Sequence, residues 1–192
     1  MTELFRQSML QMIRFEPHEL ELLGDCLEYL EFPRRAIIHD IGYVWRHTFF
    51  IEEGCLRYYH LVNGEEVTGQ FFFEGSWFSD YESFISGEPS RLCVQALEKT
   101  KLSVMSKKNI YRLYDEIPRF ERLGRLMAER AFIGLRMRTQ TLTHLNPEER
   151  YLRLLKIRPK VIERIPQHYI ASFLGIKPQS LSRIRKRLQS HS

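Results

Sequence analysis

Residues 165–188, IPQHYIASFLGIKPQSLSRIRKRL, combine two short helical patterns with a single glycine between them. Ile170, Phe173 and Leu174 have the i, i+3, i+4 spacing that places side chains on one face of a helix. Gly175 follows at once, and glycine adopts the left-handed backbone that ends many helices at the lowest steric cost. The stretch therefore predicts a helix that ends at Gly175 and a tight turn into a second helix.

The second helix is predicted to begin at Pro178, because the missing N–H of proline has no intrahelical partner in a first turn. Leu181, Ile184 and Leu188 supply its buried stripe, so the two helices form a helix-turn-helix. Amide, hydroxyl and cationic groups on its exposed side can contact base edges and phosphates, although a solvated basic helix has the same pattern. The side chains that we expect to face outward are Gln179, Ser180, Ser182, Arg183 and Lys186.

The basic charge of the chain is concentrated at this same end. Residues 144–192 contain 11 lysines and arginines against 3 acidic residues, a net charge of +8. Residues 1–143 contain 18 basic and 21 acidic residues, a net charge of −3, so the 192-residue chain carries +5. A basic end joined to a slightly acidic remainder is typical of a nucleic-acid-binding segment attached to a sensing domain.

The composition argues against several other classes of protein. Three widely spaced cysteines, Cys26, Cys55 and Cys93, supply neither a disulfide framework nor the four ligands of an iron–sulfur cluster. The histidines show no spacing that is typical of a zinc site. The N-terminal residues do not resemble a secretory signal, and no run approaches the roughly 18 apolar residues that span a bilayer. We therefore expect a cytoplasmic protein with no metal, no cofactor and no membrane segment.

Residues 32–105 show the pattern of an antiparallel β-roll. Short β-prone runs alternate with glycines at intervals of 10 to 12 residues. Asn63-Gly64 separates two of these runs and is a strong signal for a two-residue hairpin turn. The pattern predicts a jelly-roll-like, double-stranded β-helix and not a series of βαβ units. The predicted strands cover residues 36–39, 48–52, 56–62, 65–73, 92–96 and 101–105.

Helical patterns flank the predicted roll. Apolar spacing predicts N-terminal helices over residues 3–31, with Pro17 opening the second of them, and a further helix at residues 107–115. From residue 118 to residue 145 the helical period continues for about 28 residues, or roughly 42 Å. The apolar stripe of this helix, interrupted only by Arg138, could pack against the roll, but we expect it to pack against a second copy of itself. The stripe consists of Phe120, Leu123, Met127, Ala131, Leu135, Leu142 and Leu145.

The long helix is predicted to end before Asn146, which can cap a new helix that has Pro147 at its first position. The predicted fold is therefore α+β, with an N-terminal antiparallel roll and a C-terminal all-α domain. Residues 1–117 form the sensor β-roll with its flanking helices, residues 118–145 form the dimerisation helix, and residues 146–192 form the helix-turn-helix domain.

This layout resembles the Crp/Fnr family of bacterial transcription regulators over essentially the whole chain. In that family a cyclic-nucleotide-binding β-roll is followed by a long dimer helix and a DNA-binding helix-turn-helix. The sequence Gln179-Ser180-Leu181-Ser182-Arg183 is similar to the recognition-helix pattern of the family, which implies base-reading positions for Gln179, Ser182 and Arg183. Lys177 stands where many members have a Ser or Thr cap, and its charge suits a phosphate contact. The resemblance implies double-stranded DNA, a second copy of the chain, RNA polymerase and an unidentified small-molecule effector as partners.

The resemblance also implies a cassette that holds a cyclic nucleotide, but the residues are permuted. A gapless match places Ser79-Asp80 where the family has Gly-Glu, and Ser90-Arg91 where it has Arg-Ser. Because alternate residues of a strand face opposite sides, a shift of one position turns the arginine out of the pocket unless a bulge restores it. We therefore expect that these four residues, as a possible effector pocket, do not bind cyclic AMP in the usual way. Bulky side chains also stand where a purine would need room, and we expect them to fill the core of the roll: Trp77, Phe78, Tyr81 and Phe84.

The sequence lacks the common signatures of an enzyme, such as a Gly-rich phosphate loop, a nucleophile elbow or a His-Glu-x-x-His site. The leading hypothesis is a dimeric, sequence-specific DNA-binding transcription regulator with an N-terminal effector-sensing domain. The alternative is a cytoplasmic module that binds a cyclic nucleotide or another small ligand and whose basic C-terminus docks protein or RNA. A third hypothesis is an architectural protein that binds DNA constitutively and without sequence preference.

Overall fold

A computed structural model describes residues 1–190 of the chain. The predicted α+β fold class is confirmed: strands dominate the N-terminal half and helices dominate the C-terminal half. The helices are α1 (Glu3–Leu10), α2 (Pro17–Asp25), α3 (Tyr81–Ser86), α4 (Lys107–Glu116), α5 (Pro118–His144), α6 (Pro147–Ile157), α7 (Pro159–Arg164), α8 (Gln167–Leu174) and α9 (Pro178–Gln189). The strands are β1 (Leu27–Phe32), β2 (Ile37–His39), β3 (His47–Glu53), β4 (Cys55–Val62), β5 (Glu65–Phe73), β6 (Trp77–Phe78), β7 (Leu92–Ala96) and β8 (Thr100–Ser106).

The strands form two four-stranded sheets with the orders β1-β8-β3-β6 and β2-β7-β4-β5. Strand β8 lies between β1 and β3 and pairs with both in antiparallel register, for example Leu30 with Leu102 and Phe49 with Val104. The predicted hairpin turn joins β4 to β5. Asn63 and Gly64 both have positive φ angles, 53° and 80°, as a tight hairpin turn of this type requires.

One sequence expectation about the N-terminal region is wrong. The apolar spacing predicts helix through residue 31, but α2 ends at Asp25 and residues 27–32 form strand β1. Leu27 and Leu30 satisfy an i, i+3 spacing, yet the whole segment pairs with β8, some 73 residues later in the chain. This long-range pairing overrides the local helical pattern. The short elements β6 and α3 were also not predicted.

The chain divides into two compact units. The first contains residues 1–58 and 71–130, and its core is a cluster of buried apolar side chains from the roll and the helices around it. Phe5 of α1, Phe50 of β3 and Leu113 of α4 are fully buried in this cluster. The second unit contains residues 59–70 and the chain from residue 131 onward. The tip of the β4–β5 hairpin therefore belongs to the same compact unit as the C-terminal helices.

Local capping defines the start of the C-terminal helices as the sequence predicts. The Asn146 side chain accepts hydrogen bonds from the N–H groups of Glu148 and Glu149, both at 3.0 Å. The Glu149 carboxylate in turn accepts from the Asn146 N–H at 2.8 Å, which completes a capping box. Helix α6 thus begins at Pro147, three residues after the end of α5.

Candidate nucleic-acid interface

The turn between α8 and α9 has the geometry of a helix-turn-helix. Gly175 ends α8 with a φ angle of 69°, in the left-handed region. Its N–H donates to the Ser172 carbonyl at 3.0 Å, and the N–H of Ile176 donates to the Ala171 carbonyl at 3.0 Å. These bonds satisfy two of the carbonyls that the end of a helix leaves without intrahelical partners. Helix α9 then begins at Pro178, as predicted.

Helix α9 buries one face and exposes the other. Of the predicted apolar stripe, Leu181 and Ile184 are buried, at 1% and 7% exposed, whereas Leu188 near the end of the helix is half-buried. Lys177 lies at the N-cap position and forms no side-chain cap, which leaves its ammonium on the surface. Ser180 is half-buried. The exposed side chains at the beginning and middle of the helix are those of Gln179, Ser182, Arg183 and Lys186.

The exposed face of α9 carries the cations Arg183 and Lys186, and residues 165–188 contain no aspartate or glutamate to neutralise them. One Nη atom of Arg183 lies 3.5 Å from Ser180 Oγ, at the outer limit of a hydrogen bond. The Arg183 side chain is exposed, and its guanidinium lies on the surface. Arg187 lies further along the helix and pairs with Glu148 at the start of α6. The side chains near the start of α9 thus present donors that suit base edges and phosphate oxygens.

The β4–β5 hairpin contacts α8, the helix that precedes the turn. The Thr68 N–H donates to Ser172 Oγ at 2.9 Å, and the Ser172 hydroxyl donates to the Glu66 carbonyl at 3.1 Å. A guanidinium nitrogen of Arg158 donates to the amide oxygen of Gln70 near the end of the same hairpin. These three contacts join residues 59–70 to C-terminal helices of the same compact unit. The sequence did not indicate them, since Ser172 lies 104 residues from Thr68.

The C-terminal half of α5 presents an apolar face to solvent. Phe120 and Leu123 near its start are buried, but Leu135 is 62% exposed and Phe132 is 68% exposed. Surface helices of globular proteins ordinarily bury the apolar face, and a run of exposed apolar side chains is typical of an association surface. The other large apolar side chains of α5 that are at least 36% exposed are Ile133, Met137 and Leu142.

The four residues of the possible effector pocket differ in exposure and in hydrogen bonding. Arg91 is exposed, just before β7, whereas Ser90 is 3% exposed and its hydroxyl bonds with the backbone of Leu92 at 3.1 Å. Asp80 is 8% exposed and its carboxylate accepts from the Ser83 N–H at 3.5 Å, capping α3. Ser79 donates to the His47 carbonyl at 3.3 Å. The side chains of Ser79, Asp80 and Ser90 therefore form hydrogen bonds with nearby backbone groups.

The bulky residues of this region are divided between core and surface. Trp77 and Phe78 pack into the roll, with ring centroids 4.9 Å from Phe5 and 5.2 Å from Trp45 respectively. Phe84 is also buried. Tyr81, in contrast, is 54% exposed, so the expectation that it fills the interior is wrong. It lies in the first turn of α3, on the side away from the core.

The sequence analysis did not identify a buried arginine in the roll that bonds with a half-buried glutamine. Arg57 on β4 is 1% exposed, and its Nε and Nη2 atoms donate to Gln95 Oε1 on β7 at 3.0 and 2.8 Å. A charged residue at an inward position of a strand is unusual and requires hydrogen-bond partners. The available signal was an arginine between Leu56 and Tyr58 in a β-prone run.

Residues 1–190 contain no group of three or more histidine, cysteine, aspartate or glutamate side chains arranged to hold a metal ion. Within the same residues, no helix has both the length and the apolar character that crossing a lipid bilayer requires. Cys26, Cys55 and Cys93 are all buried thiols.

Comparison with known proteins gives one domain match. Residues 29–116 match the family model described as the cyclic nucleotide-binding domain. These residues run from β1 to the end of α4, and therefore include both sheets of the roll. Among curated proteins, none shows significant sequence similarity to this chain.

Solved structures with a similar fold cover most of the chain. FixK2 from Bradyrhizobium japonicum is 16% identical with a TM-score of 0.73, over 86% of this chain and 85% of that chain. The c-di-GMP-responsive global regulator CLP from Xanthomonas campestris is 15% identical with a TM-score of 0.72, over 92% and 93%. The catabolite activator protein of Thermus thermophilus is 21% identical with a TM-score of 0.56, over 92% and 85%. At these identities the likeness is one of fold.

Proposed function

Because this chain has the fold of the Crp/Fnr family of transcription regulators, with a cyclic nucleotide-binding domain at residues 29–116, we propose that it is a dimeric, sequence-specific DNA-binding transcription regulator. The observation that carries the proposal is the exposed face of α9. Gln179, Ser182 and Arg183 lie on it, directly after a tight turn, in a stretch that contains no acidic residue. This proposal makes α9 the recognition helix.

Each exposed group of α9 has a specific use in the major groove. Arg183 can donate two parallel hydrogen bonds to O6 and N7 of guanine, and Gln179 can pair with adenine or accept from cytosine. Ser182 can bond to either kind of base edge. Lys177 and Lys186 suit phosphate oxygens, which position the helix without reading sequence. Ser180 is half-buried, and its hydroxyl is within 3.5 Å of the Arg183 guanidinium, which it helps to orient.

The exposed apolar face of α5 supports a dimer with two recognition helices. Packing Phe132 and Leu135 against the same residues of a second copy would remove both from water and form a two-fold symmetric contact. A two-fold dimer of this type binds half-sites about one helical turn, roughly 34 Å, apart. The proposed operator is therefore a pseudo-palindrome.

The roll is proposed to sense an effector without the usual contacts to cyclic AMP. The exposed side chain of Arg91, the backbone bonds of Ser90 and the capping role of Asp80 all support this proposal. Calorimetry with cyclic AMP and cyclic GMP is expected to give no heat of binding in the micromolar range. A micromolar heat with either nucleotide would overturn the proposal for the sensor, and would favour the alternative of a cyclic-nucleotide-binding signalling module.

The experiment that tests DNA recognition begins with selection of binding sites from random duplexes. Affinity for the selected duplex and for a scrambled duplex is then measured over a range of salt concentrations for the wild type, Arg183→Ala and Lys186→Ala. Arg183→Ala should cost about 1–3 kcal/mol on the selected duplex and little on the scrambled one, because it removes a base contact. Lys186→Ala should weaken both equally and reduce the salt slope by about one.

Three outcomes would contradict parts of this proposal. Equal loss on both duplexes in Arg183→Ala would refute base reading by that residue. A wild-type protein that binds every duplex equally would favour an architectural DNA-binding protein. A wild-type protein with no salt-dependent affinity for DNA would favour a basic C-terminus that docks protein or RNA.

A further inference from the structure

The last turn of α8 has a complete set of carbonyl partners, and two of them are arginines from other helices. The carbonyls of Ala171 and Ser172 accept from the turn at Gly175 and Ile176. The two carbonyls that follow, at Phe173 and Leu174, are those that a helix end leaves without backbone donors. The arginines that satisfy them are Arg138 of α5 and Arg150 of α6.

Arg138 makes two contacts with the same residue. One of its Nη atoms donates to the Phe173 carbonyl, and the guanidinium carbon lies 3.7 Å from the centroid of the Phe173 ring. A cation at this position is favoured by the negative end of the α8 dipole and by the face of the aromatic ring. The planar guanidinium can satisfy both partners at once, which a lysine ammonium cannot.

Arg150 extends the connection to the end of α5. Its Nε atom donates to the Leu145 carbonyl just after α5, and its Nη1 atom donates to the Leu174 carbonyl, each at 2.8 Å. A Cβ atom on Gly175 would lie 3.4 Å from Arg150 Nη1, so the guanidinium is packed against the turn itself. Both arginines therefore hold backbone atoms within five residues of Pro178, where α9 begins.

We infer that Arg138 is a positioning residue for the recognition helix: it ties the turn before α9 to α5, and so sets the orientation of α9 relative to the two-fold axis of the dimer. The inference rests on the proposed function, because it assumes that α5 lies at that axis. The phosphate-contacting and base-contacting side chains of α9 are untouched by a change at Arg138. Such a change is therefore expected to alter the spacing and selectivity of binding and to leave non-specific binding intact.

The test compares Arg138→Ala and Arg138→Lys with a matched control, Arg136→Ala, which removes an exposed arginine from the same helix. Affinity is measured for the selected duplex, for a scrambled duplex, and for variants of the selected duplex with one or two base pairs added or removed between the half-sites. Arg138→Ala should reduce the ratio of selected to scrambled affinity by about tenfold or more and flatten the dependence on spacing. Arg138→Lys should lie between Arg138→Ala and the wild type, and the control should match the wild type.

A second measurement does not depend on DNA. Amide hydrogen exchange at residues 172–176 should accelerate in Arg138→Ala, whereas the dimer dissociation constant measured by sedimentation should stay within about twofold of the wild-type value. Unchanged exchange together with an unchanged affinity ratio and spacing optimum would overturn the inference. Equal loss on selected and scrambled duplexes would also overturn it, since that result indicates a general charge effect. If the wild type itself shows no preference, the proposed function fails, and the exchange measurement still decides whether Arg138 holds the turn.

Discussion

Shortening one exposed apolar side chain of α5 tests the proposed dimer most directly. Leu135 is 62% exposed and lies in the middle of the apolar stripe, so we select Leu135→Ala. Fully burying a leucine side chain contributes about 1.5–3 kcal/mol, and the exposed fraction of Leu135 therefore accounts for about 1–2 kcal/mol. A two-fold symmetric interface contains the residue twice, so the substitution should cost about 2–4 kcal/mol per dimer.

This cost corresponds to a dimer dissociation constant that is weaker by roughly 30- to 700-fold. Sedimentation velocity over a wide range of protein concentrations measures the constant for the wild type and for the variant. Gln140→Ala serves as the control, because Gln140 is an exposed polar residue on α5 that lies outside the apolar stripe. A wild type that stays monomeric throughout, or a variant whose constant equals that of the control, would refute the assignment of this face to the dimer.

Two further predictions concern the roll. Gly54→Ala should lower the unfolding free energy by several kcal/mol, because φ at Gly54 is +97° and a Cβ atom would lie 2.5 Å from the Lys99 carbonyl oxygen. Chemical denaturation measures this loss of unfolding free energy. Desolvation lowers the pKa of His39, so the unfolding free energy should fall as pH falls below about 6.5, and His39→Gln should remove part of that slope.

Each of these predictions has its own control. For glycine, Gly64→Ala isolates backbone strain, since φ is +80° there but a Cβ atom would meet open space, and it should cost only about 1–2 kcal/mol. Equal costs at both positions would show that the contact with Lys99 is unimportant. For the histidine, Gln140→Ala removes no ionisable group from its exposed position and should leave the pH slope unchanged.

The sign of the pH effect follows from the surroundings of His39. Its ring lies 4.4 Å from the ring of Trp45, and burial there disfavours the imidazolium more than Asp80, Asp40 and the Tyr43 carbonyl favour it. With a lower pKa in the folded state, the unfolded state binds more protons between the two pKa values. Stability is therefore complete above the unfolded value and decreases as pH falls through this window. A slope of the opposite sign would contradict the desolvation of His39.

The features that the sequence predicts well are those with a local physical cause. The Asn63-Gly64 hairpin, the left-handed end of α8 at Gly175 and the capping box at Asn146 each depend on the conformational preferences of a few adjacent residues. The long helix α5 is also predicted to within one residue at its end, because 27 residues of helical period leave little ambiguity. The fold expected from this order of elements is confirmed, since residues 29–116 match the cyclic nucleotide-binding domain and solved structures share the fold over most of the chain.

The features that were missed or predicted wrongly depend on contacts between distant residues. Residues 27–32 have helical spacing and form β1 only because β8 supplies a partner strand. The bonds of Ser172 with the β4–β5 hairpin join residues more than 100 positions apart. The exposure of Arg183 could be predicted from the helical period alone. Its contact with a base stays a prediction, because that contact depends on DNA and not on the chain itself.

Arg138 departs from the apolar pattern of α5 because its side chain contacts the end of α8. In the apolar stripe of α5 it is an interruption, and a cation at a dimer seam is costly unless it has a partner. The structure supplies that partner outside the stripe, since the guanidinium bonds with the Phe173 carbonyl and covers the Phe173 ring. An apolar residue at position 138 would extend the stripe, but it would remove the hydrogen bond that the Phe173 carbonyl accepts from Arg138. The interruption is thus the point at which α5 is attached to the helix-turn-helix.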